Sequence, residues 1–256
     1  MGLPLATRSK ILNGERLPSK IFIKDLRRAF HELVALAGVT ARIEEGELVC
    51  ILGPSGCGKT TLLNILAGLD NEYGGDILIQ GRPLQRGGNW GLRVGYVFQE
   101  PRLLPWLNVE ENIRFALYCE GFPREVWDEI VERYVALVGL KGFEHSYPHQ
   151  LSGGMQQRTS IARSLAIDPE ILLMDEPFSG LDEITARRLR KELLEIWQET
   201  QKTILFVTHN SFEATFLGDR ILLITRRPAR IYREVVVDLP RPRDYDDPQL
   251  SNSIAK

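Results

Sequence analysis

Leu48-Val-Cys-Ile-Leu52 runs directly into Gly53-Pro-Ser-Gly-Cys-Gly-Lys-Thr60, and a helical pattern follows over residues 59–69. The first five residues are apolar without alternation, as in a strand buried on both faces. The next eight fit the spacing Gly-x-x-x-x-Gly-Lys-Ser/Thr in the context that spelling requires, strand before and helix after. Glycines let the backbone curl until several N–H groups point inward. The helix that follows presents further unsatisfied N–H groups and about half a positive charge to an anion. Lys59 adds a full charge, and the Thr60 hydroxyl is a hard oxygen ligand suited to Mg2+. The bland alternative is a glycine-rich turn, which would not call for this flanking strand and helix. Cys57, inside the loop, is either a thiol acidified by the helix terminus or, more simply, filler.

Working outward, strand-like segments crowd at 20–26, 39–43 and 47–52 and predict a local antiparallel sheet. Further short strands are expected at 76–80, 93–98, 171–174, 203–207 and 220–225, with helices between them, so the core reads as α/β. Residues 101–166 show no convincing strand and predict helices over 109–119, 125–138 and 155–166. The expected organisation is a lead-in over 1–19, an α/β core over 20–98 and 167–243, a helical insertion over 99–166 and a tail over 244–256. A helix over 183–200 places Leu189, Leu193, Ile196 and Trp197 on one face, most simply for core packing.

In this 256-residue chain, 43% hydrophobic and 26% charged residues disfavour disordered, collagenous and coiled-coil classes. Lys plus Arg number 32 against 34 Asp plus Glu, a net charge of −2. No bulk positive field is present, and no nucleic-acid partner is expected. Cys50, Cys57 and Cys119 are odd in number and lack Cys-x-x-Cys spacing, which suits a reducing compartment. With no apolar run of 18 residues and no apolar signal segment near Met1, the chain is expected neither to span a membrane nor to be exported by itself.

Two further stretches carry chemistry. Ile171-Leu-Leu-Met-Asp-Glu-Pro177 is a buried strand ending in two carboxylates. Asp175 can hold Mg2+, and Glu176, pointing elsewhere, can orient and polarise an attacking water. Two solvated loop carboxylates are the alternative, weakened by the four apolar residues before them. Leu151-Ser-Gly-Gly-Met-Gln-Gln-Arg158 precedes a helix. Ser152, Gly153 and Gly154 there make a second N-terminal anion site or, read alone, a helix cap.

Five motifs in order give the chain its resemblance to the nucleotide-binding subunit of an ABC transporter, over residues 20–242. They are the phosphate loop, Gln99 after Val97-Phe98, Leu-Ser-Gly-Gly154, the strand ending in Asp175-Glu176-Pro177, and Phe206-Val-Thr-His209. Ser179-Gly-Leu-Asp182 adds the expected loop after the carboxylates, and Met155 is a mild departure where many members have Gln. The resemblance implies a RecA-like phosphate-loop ATPase core with an antiparallel β subdomain and a helical insertion. It also implies ATP and Mg2+ as ligands. Gly53, Pro54, Ser55, Gly56, Cys57, Gly58, Lys59, Thr60 and Thr61 would bind nucleotide, as would Ser152, Gly153, Gly154 and Asp182. Phe30 stands where the family places an aromatic under adenine, although an aromatic near a strand end is often only packing. Thr60, Gln99 and Asp175 would hold Mg2+, and Glu176 would act as catalytic base. Lys59, Gln99 and His209 would surround the γ-phosphate; the alternative for His209 is a capping or core histidine.

One copy of each motif implies a pair of ATPase subunits, with a second copy of the chain or a homologous subunit as the other half. Leu103-Leu-Pro-Trp106, Arg227-Pro-Ala-Arg-Ile231 and Val235-Val-Val-Asp-Leu-Pro-Arg-Pro-Arg243 resemble the nitrate, sulfonate and taurine import branch. That branch implies transmembrane permease subunits as partners and, indirectly, a periplasmic or extracellular solute-binding protein. The place of work would be the cytoplasmic face of the inner membrane, peripherally. An exporter or lipid-transport ATPase and a non-transport nucleotide-dependent clamp are the alternatives. The apolar cluster 103–106 is either the core of the helical insertion or a groove for a permease helix. Arg226, Arg227, Arg230, Arg233, Arg241 and Arg243 belong either to a solvated tail or to a surface for permease or lipid headgroups.

Overall fold

Buried apolar runs supply the strands around which the chain is organised. The computed structural model describes residues 11–12, 15–16, 19–84, 91–245 and 250. The lead-in expected over 1–19 and the tail over 244–256 lie for the most part outside the described residues. In chain order, β1 (Ile11–Leu12) and β2 (Glu15–Arg16) form a short antiparallel pair. Then come β3 (Ile21–Phe30), β4 (Leu33–Ile43), β5 (Leu48–Leu52), α1 (Lys59–Leu66), β6 (Gly74–Ile79) and β7 (Arg82–Pro83). β8 (Val94–Val97), α2 (Val109–Cys119), α3 (Trp127–Leu137), α4 (Gly153–Ala166), β9 (Ile171–Asp175) and α5 (Glu183–Thr200) follow. Last are β10 (Thr203–Thr208), α6 (Ser211–Leu217), β11 (Arg220–Ile224) and β12 (Ile231–Val236). The chain divides at 90/91 and at 205/206 into two compact units.

In the unit made of the residues before 91 and after 205, β4, β3, β6 and β7 form an antiparallel sheet in that order. Its inner face is set by alternation, since Ile21 and Ile23 are buried while Lys24 is exposed. β5 pairs in parallel with β11, Val49 opposite Arg220 and Leu52 opposite Leu223, and β12 pairs antiparallel on the far side of β11. The unbroken apolar spelling of β5 matches its place: Leu48 to Ile51 are all buried.

In the unit formed by residues 91–205, β8 and β9 pair in parallel from Val94 opposite Ile171 to Val97 opposite Met174. No strand is present among the described residues between them, as the sequence pattern predicts. α2 and α3 both pack on α4. The stripe Leu189, Leu193, Ile196 and Trp197 on α5 is buried.

The antiparallel sheet differs from the sequence expectation: the segment 47–52, grouped with it there, is β5 and pairs in parallel with β11, while the two remaining strands run longer than their spelling predicts. β3 runs on through Arg27 and Arg28 to Phe30, and β4 begins at Leu33 and passes through Gly38. Paired arginines and a glycine read as strand ends in sequence, but backbone pairing of Arg28 with Leu36 and of Phe30 with Leu33 carries the ladder past them. α6 and β12 are not anticipated: α6 is seven residues long, too short to display a helical period, and β12 interleaves Tyr232, Arg233 and Glu234.

α6 also changes the reading of the arginine-rich segment. A helix C-terminus leaves carbonyls without donors. Arg243 Nη1 donates to the carbonyls of Thr215 (2.7 Å), Phe216 (3.0 Å) and Gly218 (2.8 Å). Arg241 Nη2 donates to Leu217 O (2.6 Å) and to Asp219 Oδ1 (2.7 Å). Neither a solvated tail nor a lipid-facing surface describes these two residues, because their guanidinium groups are consumed inside the fold. Burial pushes the Arg243 pKa down to about 10, which still leaves it charged at neutral pH. Tyr245 stacks on Phe216 with ring centroids 4.2 Å apart, extending the same brace. Arg243→Ala, which strips three carbonyls of their donor, is expected to cost about 3 kcal/mol. The thermal midpoint should fall by roughly 5–10 °C, with Arg243→Lys intermediate; an unchanged midpoint would contradict the brace.

Candidate functional site

Between β5 and α1 the chain turns through Gly53 to Gly58. Gly56 has φ +72° and Gly58 φ +119°, backbone conformations that side chains rarely tolerate. At Gly58 a Cβ would also lie 3.0 Å from Ala35 O and 3.2 Å from Leu36 Cδ2. Pro54, Ser55 and Gly56 are exposed, whereas Cys57 is buried, with its Sγ packed toward Gly53. The thiol therefore fills space. Lys59 enters from the first turn of α1 and donates its Nζ to Gly53 O (2.8 Å) and Pro54 O (3.0 Å). Thr60 is exposed on the same turn, Thr61 is half-buried behind it, and that turn carries no acidic side chain to repel an anion. Two left-handed glycines, the α1 terminus and the Lys59 ammonium are thus gathered on one short loop.

The Gly53 N–H reaches Thr208 O at the end of β10 (3.4 Å). His209 follows and is exposed. It neither lies in the core nor caps α6: Asn210 is the cap, accepting from Phe212 N (2.9 Å) and Glu213 N (3.3 Å). The backbone around His209 is held tightly. Thr208 Oγ1 donates to the buried Glu213 carboxylate (2.5 Å) and accepts from Asn210 N (3.0 Å). Phe30, 41% exposed at the end of β3, has the Arg28 guanidinium 4.2 Å from its ring centroid. Arg28 is in turn held by Asp70 (2.8 Å) and Glu72 (3.0 Å). Phe30 is therefore a surface ring stiffened on one face and not part of the core.

In the other unit, Asp175 ends β9 almost fully buried, and Glu176 is half-buried beside it. Glu176 has φ +43°, a left-handed backbone that costs a non-glycine residue about 1–3 kcal/mol. Ser179 holds that strain in place, donating both its N–H (3.0 Å) and its hydroxyl (2.8 Å) to Glu176 O. Asp182 accepts from Thr185 N (3.0 Å) as the N-cap of α5. Backbone donation from Thr185 holds its carboxyl below the usual range.

Ser152 does cap α4, accepting from Met155 N (3.3 Å), while Ser152 and Gly153 stay exposed at the helix N-terminus. Gly154 lies against Thr185, whose Cγ2 would be 3.1 Å from a Cβ there. Gln99 is exposed, and its loop is gripped by α4 from below. Ser164 Oγ donates to Tyr96 O (2.9 Å) and Gln157 Nε2 to Phe98 O (3.2 Å). Arg163 donates to Pro101 O (3.2 Å) and Arg102 O (3.0 Å). Sequence reasoning missed these three residues together with Ser179, Thr208 and Glu213. A polar residue on an otherwise buried helix face, such as Gln157, was the available signal.

The apolar cluster 103–106 is not simply core. Leu103 and Leu104 are half-buried, but Pro105 is exposed and Trp106 is 69% exposed. Asn112, fully buried, fixes the segment by accepting from Leu104 N (2.9 Å) and donating to the carbonyls of Leu107 and Asn108 (both 2.9 Å).

A family model described as ABC transporter matches residues 36–179. An uncharacterized ABC transporter ATP-binding protein of Methanocaldococcus jannaschii is 46% identical over 239 residues, 92% of this chain and 88% of that protein. The aliphatic sulfonates import ATP-binding protein SsuB 2 of Burkholderia cenocepacia is 42% identical over 93% of this chain and 86% of its own length. Among solved structures, the dimeric ATP-binding cassette MJ0796, in a post-hydrolysis state bound to ADP and Pi, superposes with a TM-score of 0.75. Its sequence is 31% identical, and the match covers 85% of this chain and 98% of that one.

Gly58→Ala should weaken ATP binding at least about tenfold, because the strain and the Ala35 clash distort the loop by about 1–3 kcal/mol. Calorimetric titration with ATP measures this, and wild-type affinity in the variant would refute the geometric requirement.

Proposed function

The chain belongs to the ABC transporter family, and we propose that it hydrolyses ATP to energise uptake of a nitrate-, sulfonate- or taurine-like solute through a membrane permease. The observation that carries this reading is the phosphate loop, ordered by two left-handed glycines and Lys59 in front of α1. The import direction and the class of solute rest on similarity to the sulfonate import protein and on the spelling of residues 103–106 and 227–243.

ATP would place its phosphates against residues 53–61, where backbone N–H groups, the α1 terminus and the Lys59 charge oppose the triphosphate. Phe30 would stack on adenine. The Thr60 hydroxyl in one unit, and the Gln99 amide oxygen and buried Asp175 carboxylate in the other, are hard oxygen donors of the kind Mg2+ takes, and these residues would hold the ion beside the nucleotide. When bound, the ion would offset charge on the phosphate oxygens. Glu176 would accept the proton of the attacking water, carried on the left-handed backbone whose carbonyl Ser179 holds. His209, on a backbone fixed by Thr208 and Asn210, would donate to the γ-phosphate and stabilise charge as it develops.

The signature turn at Ser152, Gly153 and Gly154, together with Asp182, would meet the γ-phosphate of a second ATPase subunit. Two such subunits would then share two nucleotides, and hydrolysis would remove the bridge. Trp106 and Pro105, exposed beside the Gln99 loop, suit an apolar helix of the permease. A solute-binding protein outside the membrane would deliver the solute. Among the described residues no helix is long and apolar enough to cross a membrane, so attachment would pass through the permease at its cytoplasmic face.

Glu176→Gln should retain ATP binding and lose about a hundredfold or more of turnover. With ATP it should elute as a dimer on sizing; near-normal hydrolysis removes Glu176 from its role, and a monomeric ATP complex removes the paired arrangement. Trp106→Ala should reduce co-purification with the permease and leave the ATPase rate of the isolated subunit within about twofold, as expected for an interface anchor.

A further inference from the structure

The turn between β11 and β12 carries Arg227-Pro-Ala-Arg-Ile231, a segment that ATP hydrolysis as described above does not use. It is hydrogen-bonded within itself and lies against the phosphate loop. Thr225 N donates to Arg230 O (3.0 Å), Arg230 N to Thr225 Oγ1 (3.0 Å), and Thr225 Oγ1 to Pro228 O (3.0 Å). Ala229 is buried and wedged beside β4, donating to Ala35 O (2.8 Å) and accepting from Ala37 N (3.0 Å). Its Cβ faces the place where a Cβ on Gly58 would stand, at 3.4 Å. Held in this way, Arg227 brings both Nε (3.1 Å) and Nη2 to a single acceptor, the carbonyl oxygen of Gly56.

That carbonyl has a particular role. In a loop whose N–H groups turn inward toward an anion, the carbonyls must turn outward, and the dipole of each carbonyl turned the wrong way would repel phosphate. We propose that Arg227 is a positioning residue for the nucleotide: by gripping Gly56 O from outside, it holds the phosphate loop in its anion-binding form before ATP arrives. Pre-ordering of this kind raises affinity by lowering the ordering cost on binding. The guanidinium is exposed, so screening limits its effect. It touches neither the reacting atoms nor the water and should leave the chemical step alone. The inference rests on the ATP-binding reading above.

The test measures ATP affinity by calorimetry and turnover at saturating ATP on the full chain, for wild type, Arg227→Ala, Arg227→Lys and Arg226→Ala. Wild type must bind ATP; if it does not, the functional reading fails, and this inference with it. Given binding, Arg227→Ala should raise the ATP dissociation constant roughly tenfold, the size expected for a charge-assisted hydrogen bond. Arg227→Lys, retaining one donor and the charge, should fall between, with saturated turnover within about twofold of wild type throughout. Arg226→Ala removes the same charge one residue away and should bind like wild type. An unchanged constant in Arg227→Ala overturns the proposal, and so does an equal loss in Arg226→Ala, which would make the effect one of general charge. If Arg227→Ala does not fold, the lysine variant decides: wild-type affinity there overturns the fork-shaped grip.

Discussion

The nucleotide loop is governed by one constraint: backbone N–H groups must face an anion while the carbonyls of the same peptides face away. Such a loop cannot be a regular helix or strand, so its conformation must come from its neighbours. Gly56 and Gly58 supply the left-handed turns, and Lys59 occupies the carbonyls of Gly53 and Pro54. The buried strand β5 anchors one end, since a run that is apolar on both faces has no alternative register on the surface. Gly53 is tied to the end of β10, and through it to the backbone that carries His209. Ordering the loop and presenting the histidine thus draw on one set of contacts.

Strain at Glu176 belongs to the same logic. A strand that simply continued past Asp175 would alternate its side chains across the sheet. The left-handed residue after Asp175 ends the strand there, so that Glu176 stands on a turn and not on the sheet. The cost is met by two donors from Ser179 and by burial of Pro177 and Phe178 on the following turn. Two adjacent acids can therefore take separate duties, one toward a cation and one toward water.

Elements and motifs with a period or a spelling were legible in sequence. β5, β9 and β10 announced themselves as uninterrupted apolar runs, α5 by its buried stripe, and the phosphate loop by its glycine spacing. The extensions of β3 and β4 were hidden because Arg27, Arg28 and Gly38 have poor strand character, and only pairing with a partner strand overrides it. Phe30 and His209 could be named from their places in the family order, yet packing, stacking and capping could not be separated without geometry. Exposure of both residues excludes core packing, and the identification of Asn210 as the cap excludes capping by His209.

What sequence concealed most completely is a single class of contact, a side-chain donor held on a main-chain carbonyl distant in the chain. Arg227 on Gly56, Gln157 on Phe98, Arg163 on Pro101 and Arg102, Ser164 on Tyr96 and Arg243 on the end of α6 are all of this kind. Such contacts have no period, and each joins residues far apart in the chain, so neither hydropathy nor local spacing records them. Their distribution follows from the physics of functional loops. A loop that presents N–H groups, an amide or an imidazole to a ligand leaves its own carbonyls on the reverse side, and burial of an unpaired carbonyl there would cost about 1–3 kcal/mol. Arginine, with five donors in a planar fork, satisfies several carbonyls at once. An arginine-rich segment that reads as a solvated surface in composition is therefore spent in part on carbonyls, Arg227 at the phosphate loop and Arg241 and Arg243 at the end of α6.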